Sequence, residues 1–93
     1  MYRYEVSRHD IKLVKKSIKI LEDLKAPISK KITFGYTGSN SYYGVCKHRG
    51  NRDYVFYRPD LINDYYKINT IIHEILHTIP DENCYYDHRG EWA

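Results

Sequence analysis

Lys67-Ile68-Asn69-Thr70-Ile71-Ile72-His73-Glu74-Ile75-Leu76-His77-Thr78-Ile79, closed by Pro80, is the stretch that decides how the rest of this chain is read. Ile68, Ile71, Ile72, Ile75 and Ile79 recur at helical spacing, so a helix is expected from about Tyr66 to Ile79, ending before Pro80. His73 and His77 fall one turn apart, nearly opposite that apolar stripe, and Glu74 projects beside them. Between Lys67 and Asp81 the sole charged side chain is Glu74. A face turned to solvent ordinarily carries several Lys or Glu. A polar side made of Asn, Thr, His and one acid fits the wall of a cleft.

His73-Glu74-Ile75-Leu76-His77 has the His-Glu-x-x-His pattern in which two imidazoles share one cation and the glutamate serves as general base. Neutral imidazole suits zinc, and a catalytic zinc site takes three protein ligands and leaves the fourth position to water. The third ligand must come from the tail, where His88, Glu91, Cys84 and Asp87 are the candidates. His88 is favoured because ten residues separate it from His77, room for a loop to double back, and Gly90 follows it closely. Glu91 remains the main rival, since carboxylates also ligate zinc. Tyr85 and Tyr86 are candidate oxyanion donors, and Cys84 is a candidate for packing beside the ligands. His9 and His48 read as ordinary surface residues.

Working outward, Ile11, Val14, Ile18, Leu21 and Leu24 predict an amphipathic helix over Ser7–Lys25, with Ser7 or Asp10 as its cap and Pro27 beyond its end. Three β-rich segments follow: Ile32–Thr37, Tyr42–His48 and Asp53–Arg58, separated by Gly38-Ser39-Asn40 and by Gly50-Asn51. The last two predict a hairpin, and either of them, as an exposed sheet edge, is a candidate to pair with an extended substrate backbone. The expected fold is therefore α+β: an N-terminal helix, a three-stranded sheet, the metal-bearing helix and a C-terminal ligand loop, a minimal zincin-like arrangement in one domain spanning 1–93. Gly35, Gly38 and Gly44 read as strand and turn positions, and no phosphate-binding glycine loop is present.

Ninety-three residues suffice for one core, which at this size is modest and gains from a bound metal. Eleven of the fourteen aromatics are tyrosines, suited to half-buried strands and cleft walls. Cys46 and Cys84 are too few for a disulfide framework and are read as thiols. No stretch approaches the roughly 20 apolar residues of a membrane span, so a soluble cytoplasmic protein is expected. The net charge of +3 is uneven: residues 1–31 hold nine Lys or Arg against four acids. Lys12, Lys15, Lys16 and Lys19, with Lys30, Lys31, Arg3 and Arg8, form a candidate phosphate-contacting patch, although a solvated helix face carries the same pattern.

With these residues placed, the chain resembles the SprT-like (Spartan-related) zinc metalloprotease family. The likeness rests on His73-Glu74-Ile75-Leu76-His77-Thr78 and on His88-Arg89-Gly90-Glu91-Trp92, similar to that family's third-ligand histidine followed by an acid–aromatic pair. It implies one Zn²⁺ held by His73, His77 and His88, Glu74 as the catalytic glutamate, and peptide hydrolysis in protein substrates, including proteins crosslinked to DNA. Asp87-His88-Arg89 departs from the Gly-His-Gly common in the family. The family's further helix and zinc ribbon after the tryptophan have no counterpart before Ala93, so a minimal or truncated form is expected. Two other readings stand beside this one: a non-catalytic zinc-stapled domain that binds DNA or a protein, and a regulatory peptidase with one dedicated partner.

Overall fold

A computed structural model describes residues 1–79, so the C-terminal ligand loop with Cys84, Tyr85, Tyr86, Asp87, His88 and Glu91 lies outside the described residues. The elements run β1 (Arg3–Tyr4), α1 (Arg8–Asp23), β2 (Ile32–Tyr36), β3 (Gly44–Arg49), β4 (Arg52–Tyr57) and α2 (Asp64–Leu76). They form an α+β domain of two helices on a sheet ordered β1-β2-β4-β3. The sheet has four strands rather than three. β1 pairs in parallel with β2, where Arg3 meets Thr33 and Tyr4 meets Phe34. Tyr2-Arg3-Tyr4-Glu5-Val6 alternates with a period of two, but so short a strand is held by tertiary contacts: the Tyr4 ring stacks 5.8 Å from Phe34, and Glu5 N–H donates to the Phe34 carbonyl.

β4 is inserted between β2, to which it runs parallel, and β3, to which it runs antiparallel. The predicted hairpin is present. Arg49 pairs with Arg52 across Gly50-Asn51, and Gly50 at φ 60° supplies the left-handed first position of a type II′ turn. Because β4 is interior, β3 is the edge strand on that side among the described residues.

Ser7, rather than Asp10, caps α1 by accepting from Asp10 N–H. The helix stops two residues before Lys25, which takes φ 59°; its N–H reaches the Glu22 carbonyl and that of Ala26 reaches Leu21, a Schellman ending. α2 begins earlier than its sequence suggests, because Asn63 accepts from Tyr66 N–H. It also ends earlier. Past Leu76, the bonds from Thr78 and Ile79 N–H reach back three residues, to Ile75 and Leu76.

Val14, Ile18, Leu21, Phe34, Val55, Ile71 and Ile75 close the core between helices and sheet. One buried polar group joins the layers. Asp10, 2% exposed, accepts from Tyr36 Oη (2.8 Å), Tyr57 Oη (2.9 Å) and Lys67 Nζ (3.1 Å), which come from β2, β4 and α2. Burial alone raises the Asp10 carboxyl. The hydrogen bonds from Tyr36, Lys67 and Tyr57 and the Lys67 charge outweigh it and hold the group below its ordinary 3.8. Burial, then bonding to Asp10, pushes the Tyr57 phenol far above its usual value, so it stays a donor.

A carboxyl depressed on folding stabilises the native state above its unfolded value, and that contribution disappears as pH falls through the folded value. Stability measured by thermal melting should therefore decline below about pH 3.8 in the parent, and a variant Asp10→Ala should lack this component. At neutral pH, Asp10→Ala strands a partly buried ammonium and two phenols and should cost about 3–5 kcal/mol in denaturant unfolding. A loss below about 1 kcal/mol would show the network to be dispensable.

Candidate metal centre

The last two turns of α2 carry the chemistry. Ile71 and Ile75 are fully buried and fix the helix's rotation on the sheet. That rotation brings His73 and His77 side by side, ring centroids 4.9 Å apart and planes at 76°. Two imidazoles on one tetrahedral zinc, with Zn–N near 2.0–2.1 Å, have centroids roughly 5 Å apart, so the pair fits as two of the ligands. His77 is 3% exposed and Glu74 2%, while His73 is half-buried. Thr78 anchors the helix end: its hydroxyl donates to the Ile75 carbonyl at 2.6 Å and accepts from Ser29 N–H at 3.1 Å.

Glu74 owes its place to a glycine on the edge strand. A Cβ on Gly44 would lie 2.9 Å from Thr70 Cγ2, 3.0 Å from Glu74 Cγ and 3.2 Å from Glu74 Oε2. β3 and α2 thus approach closer than any side chain permits, and the carboxylate lies against the strand backbone. Beside this contact opens a cleft of about 500 Å³. His73, Glu74, Asn69 and Thr70 form its helical wall, and Tyr42, Tyr43 and Gly44 face them. Arg58, also on the cleft, is held by a fork to Asp60 (3.0 and 2.8 Å) and stands 5.9 Å over the Tyr43 ring. His77 lies behind the cleft rather than on it.

The structure brings together His73, Glu74 and His77. Among the described residues no group of three or more His, Cys, Asp or Glu is placed to hold a metal, and every candidate third ligand lies outside them. His9 and His48 stand away from the centre, the first bonded to Asp64 at 2.9 Å and the second to Asp53. Lys12, Lys15, Lys16 and Lys19 are exposed on α1; Lys15 rides over the Tyr4 ring and Lys19 faces Asp23. Tyr42–His48 and Asp53–Arg58 were read from sequence as candidate substrate edges, but not as walls facing Glu74. A glycine within the first segment was the available signal, since it marks a close backbone approach.

No family model, curated protein or solved structure matches the chain.

Gly44→Ala forces this contact apart. It should lower unfolding stability by about 1–3 kcal/mol through overpacking. An unchanged denaturation midpoint would mean that helix and strand are not in contact there.

Proposed function

We propose that the chain is a zinc-dependent endopeptidase of the SprT-like kind, with His73, His77 and His88 as ligands and Glu74 as general base. The observation that carries this reading is the placement of Glu74. It is buried against the backbone of an edge strand, beside two imidazoles at chelating separation and on the wall of a cleft.

His73, His77 and His88 would hold the zinc, which when bound would supply a Lewis acid for a peptide carbonyl and for water. Glu74 accepts a proton from the attacking water and returns it to the departing amide nitrogen, so that water adds across the C–N bond. β3 offers its outer edge for pairing with an extended substrate backbone, a mode that gives affinity with little sequence preference. Asp53–Arg58, an alternative edge on sequence grounds, is excluded because β4 is flanked on both sides. Proteins bound to DNA are a substrate class within this reading, with the exposed lysines of α1 facing phosphate. Among the described residues no helix is long and apolar enough to cross a membrane.

The near-complete burial of His77 and Glu74 also suits a zinc-stapled binding domain without catalysis. Two measurements separate the readings. Glu74→Gln should retain about one zinc per chain by elemental analysis while cleavage of an unfolded protein falls at least about 100-fold. Cleavage at the parent rate would remove Glu74 as the base. X-ray absorption showing four protein ligands and no solvent on the metal would favour the staple.

A further inference from the structure

Both helices lie on one face of the sheet: α1 receives Tyr36 and Tyr57 through Asp10, and α2 meets Gly44 through Thr70 and Glu74. The opposite face is read from the strand register. Arg3, Thr33, Tyr54 and Lys47 form one row across all four strands; Gly35, Phe56 and Val45 form the next, and Arg52 and Arg49 a third. These nine positions hold four cations, and continuing the β1–β2 register puts one exposed acid, Glu5, beside Gly35.

The side chains on this face explain its own burial. Arg52 Nη1 donates to Thr33 Oγ1 at 3.3 Å, and the Phe56 ring lies so close over Gly35 that a Cβ there would be 3.0 Å from two ring carbons. Tyr54 and Phe56 stack at 6.1 Å with planes 27° apart and remain half-buried, while Arg3, Lys47 and Arg49 are exposed. The face is thus a stacked aromatic pair flanked by cations on both sides.

We propose that this face, which carries no helix among the described residues, binds single-stranded nucleic acid, with Tyr54 and Phe56 as a platform for unpaired bases and Arg3, Lys47, Arg49 and Arg52 as phosphate contacts. Aromatic rings on a sheet, interleaved with cations, suit bases whose faces are open, and a duplex hides those faces. A second copy docked face to face would bring like charges together. An acidic peptide matches the cations and leaves the rings without a stacking partner. The inference depends neither on the peptidase reading nor on the lysines of α1.

The test is fluorescence anisotropy of the full chain with labelled oligothymidylate of about 15 nucleotides, the matching oligouridylate and a duplex of equal length. The single strands should bind more tightly than the duplex. Lys47→Glu with Arg49→Glu, both on exposed side chains, should weaken single-strand binding roughly tenfold or more and reduce the salt slope by about 1.4, two phosphates at about 0.7 each. Tyr54→Ala should weaken it roughly tenfold and Tyr54→Phe should restore it. Lys25→Glu, a single exposed charge beyond the end of α1 and outside both candidate phosphate surfaces, should change it less than about twofold. Circular dichroism establishes that each variant is folded, and the charge pair carries the test should Tyr54→Ala unfold. The proposal is overturned by equal affinity for duplex, by an unchanged affinity in the sheet variants, or by an equal loss in the Lys25 variant. It is also overturned if the sheet variants dissociate a dimer in sedimentation while oligonucleotide affinity stays constant.

Discussion

Tyr36, Tyr57 and Lys67 converge on the Asp10 carboxylate, and through it α1 is joined to β2, β4 and α2. A buried carboxylate is costly unless its lone pairs are taken up and its charge is balanced. Here two phenols and one ammonium do both, so the group acts as a geometric constraint: α1, the sheet and α2 satisfy it together only in one arrangement. Lys67 lies on the second turn of α2, and fixing it there fixes the azimuth of every later residue on that helix, including His73, Glu74 and His77. Apolar packing of Ile71 and Ile75 sets the same rotation from the core side. The candidate centre thus inherits its orientation from a polar knot some two turns away.

Gly44 then determines how near the sheet comes. A Cβ there would crowd Thr70 and Glu74, so β3 or their side chains would have to shift. Without one, the carboxylate is held against strand backbone at the wall of the cleft. Burial and access are reconciled by dividing the motif: His77 is sealed behind the helix end, where Thr78 and Ser29 tie the chain down, while His73 and Glu74 line the opening. That division follows from the 100° step between helix residues, which sends adjacent positions to different surroundings.

Periodicity made the helices and the three longer strands legible in the sequence, because each buries enough apolar surface to imprint a pattern. The His-Glu-x-x-His spacing likewise put its three side chains on one helix. What the sequence did not disclose depends on partners far along the chain. β1 spans two residues and exists through Phe34; Tyr2, Tyr4 and Val6 carried its alternation, but too briefly to stand out. Asp10 was read as a cap because an acid near a helix start ordinarily is one. Its three donors lie 26, 47 and 57 positions away in sequence, and nothing local announces them. Tyr42–His48 and Asp53–Arg58 were legible as candidate substrate edges, but that Tyr43 and Arg58 share a cleft with Glu74 follows only once β4 is inserted between β2 and β3.

β3 is where the two halves of the functional reading meet. Alternation along a strand sends Gly44 and Cys46 toward the helices and Val45, Lys47 and Arg49 to the other face. One six-residue strand therefore closes the cleft with its first residue and charges the open face with its fourth and sixth. An exposed edge beside half-buried aromatics is the arrangement most prone to pairing with a copy of itself. Lys47 and Arg49, both exposed, place like charges along that edge and oppose such pairing. The same charges leave the edge open to an oppositely charged or uncharged extended chain. Positive charge on β3 thus discourages self-association without covering the backbone groups that a substrate strand would use.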